Sequence, residues 1–371
     1  MCAKNIRLSF IILLVITGLF LNIRGIGAEE QVIKDKQTGV PHEKKETLKP
    51  GEIIFEHIGD AYNWHVISFK DLEVAIPLPV IVFSKKSGFH AFFSCKINHE
   101  HPNYNGFEIP KEGAYKGKIV EILTDGTVVR PYDISITKNV LSLFISLGLM
   151  LWIFISIAKR YQKAPDKAPK GIQSLFEPLI MFVRDDIAIP SIGKDRHEKF
   201  MPYLLTVFFF ILINNLMGLI PLFPGGANVT GNISITMVLA AITFIITMKT
   251  TNKYFWVHIV NTPGVPWWLK LPVPLMPFIE FSSSIVIRPF VLMIRLFANI
   301  LAGHINVLSF IMLIFIFGAM NPIVGYSFSP FSVAFVVFIY FIELLVAFIQ
   351  AYVFTLLSAL YFGMAREENH H

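Results

Sequence analysis

Arg295 stands in the middle of a long uncharged apolar stretch, where a guanidinium costs roughly 2.5 to 3.5 kcal/mol even on lenient bilayer-insertion scales. A residue that costly needs a task or a partner. A guanidinium keeps its proton inside a protein, so it can draw a passing carboxylic acid into giving up a proton without carrying that proton itself. A buried lysine would lose its own proton, and the barrier would leak. The plain alternative is a snorkelling or structural arginine, a role that suits Arg288, nearer the end of the same stretch, better.

His304 follows Arg295 by nine residues, and in the next apolar run Glu343 precedes Gln350 by seven. If the two runs form an antiparallel hairpin, Arg295 falls level with Gln350, and His304 with Glu343. At about 3.6 residues per turn, nine residues put Arg295 and His304 on opposite helix faces. Burial raises a carboxyl pKa and an imidazole titrates near neutrality, so an acid and an imidazole at one depth can hand protons on near neutral pH as a coupled pair. The alternative is a structural ion pair that fixes helix register. Asn299, Asn214 and Asn215 would hydrate a channel or simply hydrogen-bond between helices.

The elements that must position these groups are membrane spans. Of 371 residues, 54% are apolar, 35 are Phe and only 16% are charged, far from the balance of a soluble domain. Uncharged runs at 139–157, 201–220 and 233–248 each read as a span, the first ending at Lys159, Arg160 and Lys163 and the third at Lys249. Residues 171–200 mix apolar and charged side chains as an interfacial helix would. Residues 266–280, with Trp267, Trp268 and Lys270, read as a cytoplasmic interface segment. A long helix from about 280 to 317, a turn over 318–330 and a final helix over about 331–362 complete the chain. Both helices exceed the ~20 residues a span needs, so they must tilt. The expected fold is therefore an all-α polytopic membrane protein of about five transmembrane helices with a long tilted C-terminal hairpin, its lysines and arginines placing the N-terminus outside and the C-terminus in the cytoplasm.

Before the spans the character differs. Lys4 and Arg7 precede an apolar run over 8–23 and small residues up to Ala28, which reads as a signal peptide over 1–28, with an uncleaved anchor as the alternative. Residues 29–137 form an exported linker and a small β-rich domain in which short apolar stretches alternate with Gly, Pro, Asn and Asp; 138–371 form the transmembrane domain. His99 and His101 could share one strand face as metal ligands, but no further ligand stands at a recognisable spacing, and surface loop histidines are the simpler reading. No metal and no cofactor are expected. Cys2 and Cys95 cannot build a disulfide framework. The formal charge of +6 lies beside apolar runs, where the positive-inside rule accounts for it, so nucleic acid is not an expected partner and the lipid bilayer is.

Three stretches carry a family resemblance. Arg295, Leu296, Phe297, Ala298 and Asn299 with Ala302, Gly303 and His304 resemble the arginine motif of subunit a of F-type ATP synthases. Ile349, Gln350, Ala351, Tyr352, Val353, Phe354, Thr355 and Leu356 resemble its last-helix motif. Asn215, Leu216, Met217, Gly218, Leu219, Ile220 and Pro221 resemble its second-span motif. The resemblance covers about 139–368 and implies a bacterial inner-membrane stator subunit, not an enzyme on its own. It would work in ATP synthesis by proton transport, assembled with the c-subunit ring, peripheral-stalk b subunits and the rest of the complex. Two offset half-channels would meet the ring with Arg295 as the barrier between them, and His304, Glu343, Gln350, Asn299 and Asn215 along the proton path. Many bacterial relatives carry the acid where His304 stands and the imidazole where Glu343 stands; this chain has the reciprocal arrangement seen in mitochondrial relatives. Gly218 replaces an aspartate of some relatives, so that role does not carry over. The competing reading is an ion-coupled secondary transporter, which would show internal repeats and paired broken helices; neither is visible. No HExxH or GxSxG motif supports an intramembrane hydrolase.

Overall fold

The computed structural model of the chain describes residues 51, 54–55, 58–69, 72–97, 103–110, 113–123, 126–163, 168–220, 223–253, 255–256 and 275–365. The expected signal peptide, His99 and His101, the segment with Trp267, Trp268 and Lys270, and the tail from Arg366 lie outside the described residues.

Short strands with turn residues between them build the region ahead of the spans. β1 (Asn63–Phe69) and β2 (Leu72–Pro77) pair as a hairpin, and β3 (Pro79–Ser84) lies between β4 (Gly88–Phe93) and β9 (Tyr132–Asp133). β5 (Asn103–Tyr104), β6 (Phe107–Glu108), β7 (Val120–Ile122) and β8 (Val128–Val129) form an antiparallel meander. Alternation along β3 turns Val80 and Val82 inward and Phe83 outward. Val80, Val82 and Phe92 pack with Tyr62, Phe107 and Ile119 into a small core of their own.

This unit is tied to the first span at the helix start, where backbone N–H groups lack intrahelical partners. The Asn139 N–H donates to Asp60 Oδ1 (3.1 Å) and the Thr137 hydroxyl to Oδ2 (2.8 Å), so Asp60 acts as the cap of α1 (Lys138–Lys163).

Among the described residues five helices are long and apolar enough to cross a membrane: α1, α4 (His197–Leu219), α5 (Ile233–Thr250), a continuous helix over Pro277–Met320, and α8 (Pro322–Met364). The fourth comprises α6 (Leu275–Ser282), a π-helical turn (Ser283–Ile287) and α7 (Arg288–Met320). α4 is apolar on all sides and 72% of its most apolar stretch is buried, which makes it the centre of the bundle. Only 6% and 17% are buried in the fourth and fifth spans, so their apolar faces look outward. At 44 and 43 residues these two would each run about 65 Å, twice the ~30 Å hydrocarbon layer, and must lie strongly tilted.

Two sequence expectations change. The turn expected over 318–330 is helical, and the chain reverses at Asn321. Asn321 Oδ1 accepts the Ile323 N–H (2.9 Å) as an N-cap and Pro322 starts α8, both of which favour a helix start over an open loop. Residues 171–200 do not form one surface helix. α2 (Ile172–Phe182) and α3 (Ile189–Ile192) stay at the surface, with Leu175 of α2 67% exposed, while the π-helical turn between them (Val183–Ala188) packs inward, Val183, Ile187 and Ala188 fully buried and the Phe182 ring against Phe208, Phe348 and Tyr352. Only the apolar residues of the turn and its flanks pack on α4 and α8, while Arg184 and Asp185 stay exposed as an ion pair (2.7 Å).

The ends of the helices sort into two sides. Phe200 at the start of α4 stacks on Phe362 near the end of α8 (4.9 Å between centroids), and the Asn252 N–H beyond α5 donates to the Ala365 carbonyl (3.1 Å). The opposite side holds the α4–α5 loop, the Asn321 reversal and the β-rich unit, whose Trp64 meets Phe223 of that loop edge-on (5.1 Å).

Candidate functional site

The α7/α8 hairpin sets the level of every candidate residue. Phe310 stacks on Phe335 (5.3 Å), Phe317 meets Phe328 (4.8 Å), and the Ser332 hydroxyl donates to the Phe310 carbonyl (2.5 Å). Gly318 and Gly325 let the backbones touch: a β-carbon at 325 would lie 2.6 Å from Gly318 Cα. The same antiparallel register, continued toward the other end, brings Arg295 level with Gln350.

α7 turns Leu292 and Leu296 inward, each 1% exposed. Arg295 consequently emerges on the outer face, exposed, in a strip with Val291, Ala298, Asn299 and Ala302. Toward the His304 end that strip is made of small side chains, Ala298, Asn299 and Ala302. Among the described residues no carboxylate pairs with Arg295; the described ion pairs are Arg184 with Asp185 and Arg288 with Glu280. Gln350 sits on the inner side of α8 and is buried.

His304 points the other way, into the bundle. Its ring lies over Gly218 of α4: a β-carbon built at 218 would be 3.6 Å from His304 Nε2 and 3.5 Å from the Ala227 carbonyl oxygen of the α4–α5 loop. Glu343 enters from α8 against Gly303, where a β-carbon would stand 2.5 Å from Oε1, 3.1 Å from Cδ and 3.3 Å from Cγ. The Glu343 carboxyl is buried, and among the described residues neither of its oxygens has a hydrogen-bond partner. A carboxyl left so would cost several kcal/mol unless water or a mobile proton serves it.

Asn215 joins three elements at this depth. Its Oδ1 accepts the Thr230 hydroxyl of the loop (2.6 Å) and its Nδ2 donates to the Ala347 carbonyl of α8 (3.3 Å). Asn214 spends its Nδ2 on Phe210 of its own helix (2.8 Å), and among the described residues its Oδ1 has no partner. Gly225 has no room for a side chain, since a β-carbon would lie 2.7 Å from the Met217 carbonyl oxygen, and this lets the loop fold back over the end of α4.

A second polar feature lies on the opposite side. A small pocket of ≈10 Å³, room for about one water, is bounded by Thr243 and Thr247 of α5, Ser284 and Arg288 of the fourth span, and Tyr361 of α8, with apolar walls between. Ser284 Oγ is buried there without a partner among the described residues, in a π-helical turn of the kind common at functional sites. The Arg288 guanidinium lies 5.5 Å above the Tyr361 ring and 3.9 Å from Glu280.

The structure thus separates the candidates into an outward group, Arg295 and Asn299, and an inward group, His304, Glu343, Asn215 and Gln350. Sequence reasoning missed the glycines as site residues. Gly303 and Gly218 make space for the two ionisable side chains, and the available signal was a glycine in the interior of an apolar helix, where it is otherwise unfavourable. It also missed Ser284 and Thr230. Among the described residues no group of three His, Cys, Asp or Glu could hold a metal ion.

Residues 140–363 match the family model described as ATP synthase A chain, and residues 53–138 match one described as Domain of unknown function (DUF8433). Similar proteins include ATP synthase subunit a of Chloroherpeton thalassium, 42% identical over 247 residues, which cover 65% of this chain and 69% of that one. The subunit a of Chlorobium phaeobacteroides is 40% identical over 258 residues, covering 68% and 71%. That of Myxococcus xanthus is 37% identical over 314 residues, covering 81% and 91%.

Proposed function

The chain belongs to the ATP synthase A chain family and is a multi-pass membrane component of that complex; from this premise we propose that it is the proton-translocating stator subunit, carrying two half-channels to and from the c-subunit ring with Arg295 as the barrier between them. Membership of this family removes the case for a secondary transporter. The observation that carries the reading is the outward position of Arg295, without a carboxylate partner among the described residues. Among the described residues nothing supplies its counter-charge, which supports one brought by a neighbouring subunit, and Ala298, Asn299 and Ala302 beside it allow a neighbouring helix to approach.

The proton path follows from the two groups of residues. Protons enter from the exported side through the level of His304 and Glu343, where an acid and an imidazole can exchange them, and load a ring carboxylate. After the ring has turned, the carboxylate meets Arg295, which favours its ionised form, and the proton leaves toward the cytoplasm. The cavity at Thr243, Ser284 and Arg288, on the other side of the bundle, supports a separate exit. Lys159, Arg160 and Lys163 at the end of α1 and Lys249 at the end of α5 support a cytoplasmic location for that side, with the start of α1 and the Asn321 reversal outside. The unit over 53–138 is on this reading exported, and the b subunits of the peripheral stalk hold the assembly against rotation.

The test is ATP synthesis and ATP-driven proton pumping by the complete complex in vesicles with Arg295→Ala. The expected outcome is normal assembly with both activities abolished. Normal coupled synthesis by the assembled variant would overturn the assignment.

A further inference from the structure

We propose that the β-rich unit is a clamp for the α4–α5 loop, with Trp64 as the positioning residue that keeps the wall of the exported half-channel in place over His304. The inference rests on the reading of the His304 level as the exported path, and adds to it a role for a part of the chain that the ATP synthase A chain match does not reach.

A continuous chain of contacts carries it. Trp64 is 2% exposed although it comes from the β-rich unit, because its ring is inserted in the apolar core of the membrane bundle. There it meets Phe223 edge-on at 5.1 Å, a favoured aromatic geometry. Phe223 opens the described part of the loop and is itself 45% exposed, so Trp64 supplies its cover from one side. Three residues on, the Gly226 N–H is tied to the Met217 carbonyl (3.1 Å), and the next residue, Ala227, presents its carbonyl to the Gly218 site beside the His304 ring. Thr230 then fastens the loop to Asn215.

The unit can act as a clamp only if it is itself fixed, and Asp60 does this four residues before Trp64. Asp60 holds the Asn139 N–H and the Thr137 hydroxyl, and the Lys138 N–H donates to the Ala61 carbonyl (2.9 Å). The start of α1 and the α4–α5 loop are therefore held by two points of one short segment. A loop with Gly225 and Gly226 at its centre is otherwise conformationally permissive. Holding it from outside keeps the Ala227 carbonyl, 1% exposed at its residue, at the Gly218 site that the His304 ring overlies.

The experiment uses the complete complex with Cys95→Ser and an Ala227→Cys probe, in variants Trp64→Ala, Phe223→Ala and Trp64→Phe. Two quantities are read: labelling of the probe by an impermeant maleimide from the exported side, and proton-driven ATP synthesis as a function of pH on each side separately. Trp64→Ala and Phe223→Ala are expected to raise the labelling rate about tenfold or more, as a loop released from a packed site does. They are expected to lower synthesis about three- to tenfold, as small misplacements near a reacting group do. The dependence on exported-side pH should change and that on cytoplasmic-side pH should not, a split that a general loss of stability does not produce. Trp64→Phe should keep near-normal values of both. Where Trp64→Ala fails to assemble, Phe223→Ala decides, because it leaves the β-rich unit intact. Unchanged labelling and synthesis in the assembled Ala variants, or equal disturbance of both pH profiles, would overturn the clamp. If Arg295→Ala is inactive while Trp64→Ala and Phe223→Ala behave as wild type, only the clamp falls; if Arg295→Ala is fully active, the underlying reading falls with it.

Discussion

Gly303 stands where the Glu343 carboxyl needs to be. A β-carbon at 303 would lie 2.5 Å from Oε1, closer than real contacts allow, and 3.1 Å from Cδ, so the carboxyl keeps this place only against a residue with no side chain and would have to shift away from one. Because Gly303 is inside α7, removing the glycine favours the helix and disfavours the carboxyl position, which separates stability from function.

Gly303→Ala is accordingly expected to leave assembly and helix stability intact, since Ala is better than Gly in a helix interior by about 0.5 to 1 kcal/mol. Proton conduction through the membrane sector should fall about tenfold or more, because the acid is displaced from its partner level. The measurement is passive proton flux in vesicles stripped of the soluble ATPase. Wild-type flux with Ala at 303 would mean that the Glu343 position is not what the path requires.

Exchanging the two ionisable groups tests whether they work as one unit. His304→Glu alone places two acids at one level and Glu343→His alone two imidazoles, and each should lose most coupled synthesis. The double exchange restores one acid and one imidazole and should return synthesis to within about threefold of wild type, a non-additivity expected only of groups in contact. Additive losses in the double variant would argue against a shared site.

Arg295→Lys is expected to assemble yet fail to couple normally. Lysine offers a point charge on a flexible stem and can lose its proton when desolvated, whereas guanidinium stays charged and planar. A potential of 100 mV is worth about 2.3 kcal/mol per charge, so even a modest leak past the barrier dissipates much of the driving force. Synthesis in energised vesicles and passive proton permeability should be measured together. Full synthesis with Lys at 295 would show that any cation suffices there.

Asn321, the point of reversal between α7 and α8, should be reachable from the exported side. A cysteine at 321 in a Cys95→Ser background is expected to react with an impermeant maleimide added to intact spheroplasts. Reaction only after the cytoplasmic face is opened would invert the proposed topology.

Much of the architecture was legible in the residues themselves. Uncharged runs long enough to span, with lysines and arginines at one end, indicated the membrane helices because a bilayer admits few other arrangements of apolar sequence. The isolation of Arg295, His304 and Glu343 in such runs marked them as candidates, since an ionisable group is costly there, and helical phase alone put Arg295 and His304 on different faces. The Asn321 reversal was less legible: Gly318, Pro322, Gly325 and Pro330 suggest an open turn when read singly, yet two glycines at a hairpin tip allow close packing and a proline at the first helical position begins a helix.

What only the tertiary structure decided concerns space and neighbours. Periodicity states which face of its own helix a residue occupies, but not what stands opposite, because that depends on elements far away in the chain. That Glu343 needs Gly303, that the His304 ring lies over Gly218 beside the Ala227 carbonyl, and that Asn215 links the loop to α8 are relations among residues separated by 15 to 132 positions or set by packing alone. The same holds for Trp64. In the sequence it is one aromatic residue in a β-rich stretch; in the fold it is buried in the membrane bundle, since the cap at Asp60 brings its strand over the α4–α5 loop, where the indole leaves water among apolar residues of the bundle and beside Phe223.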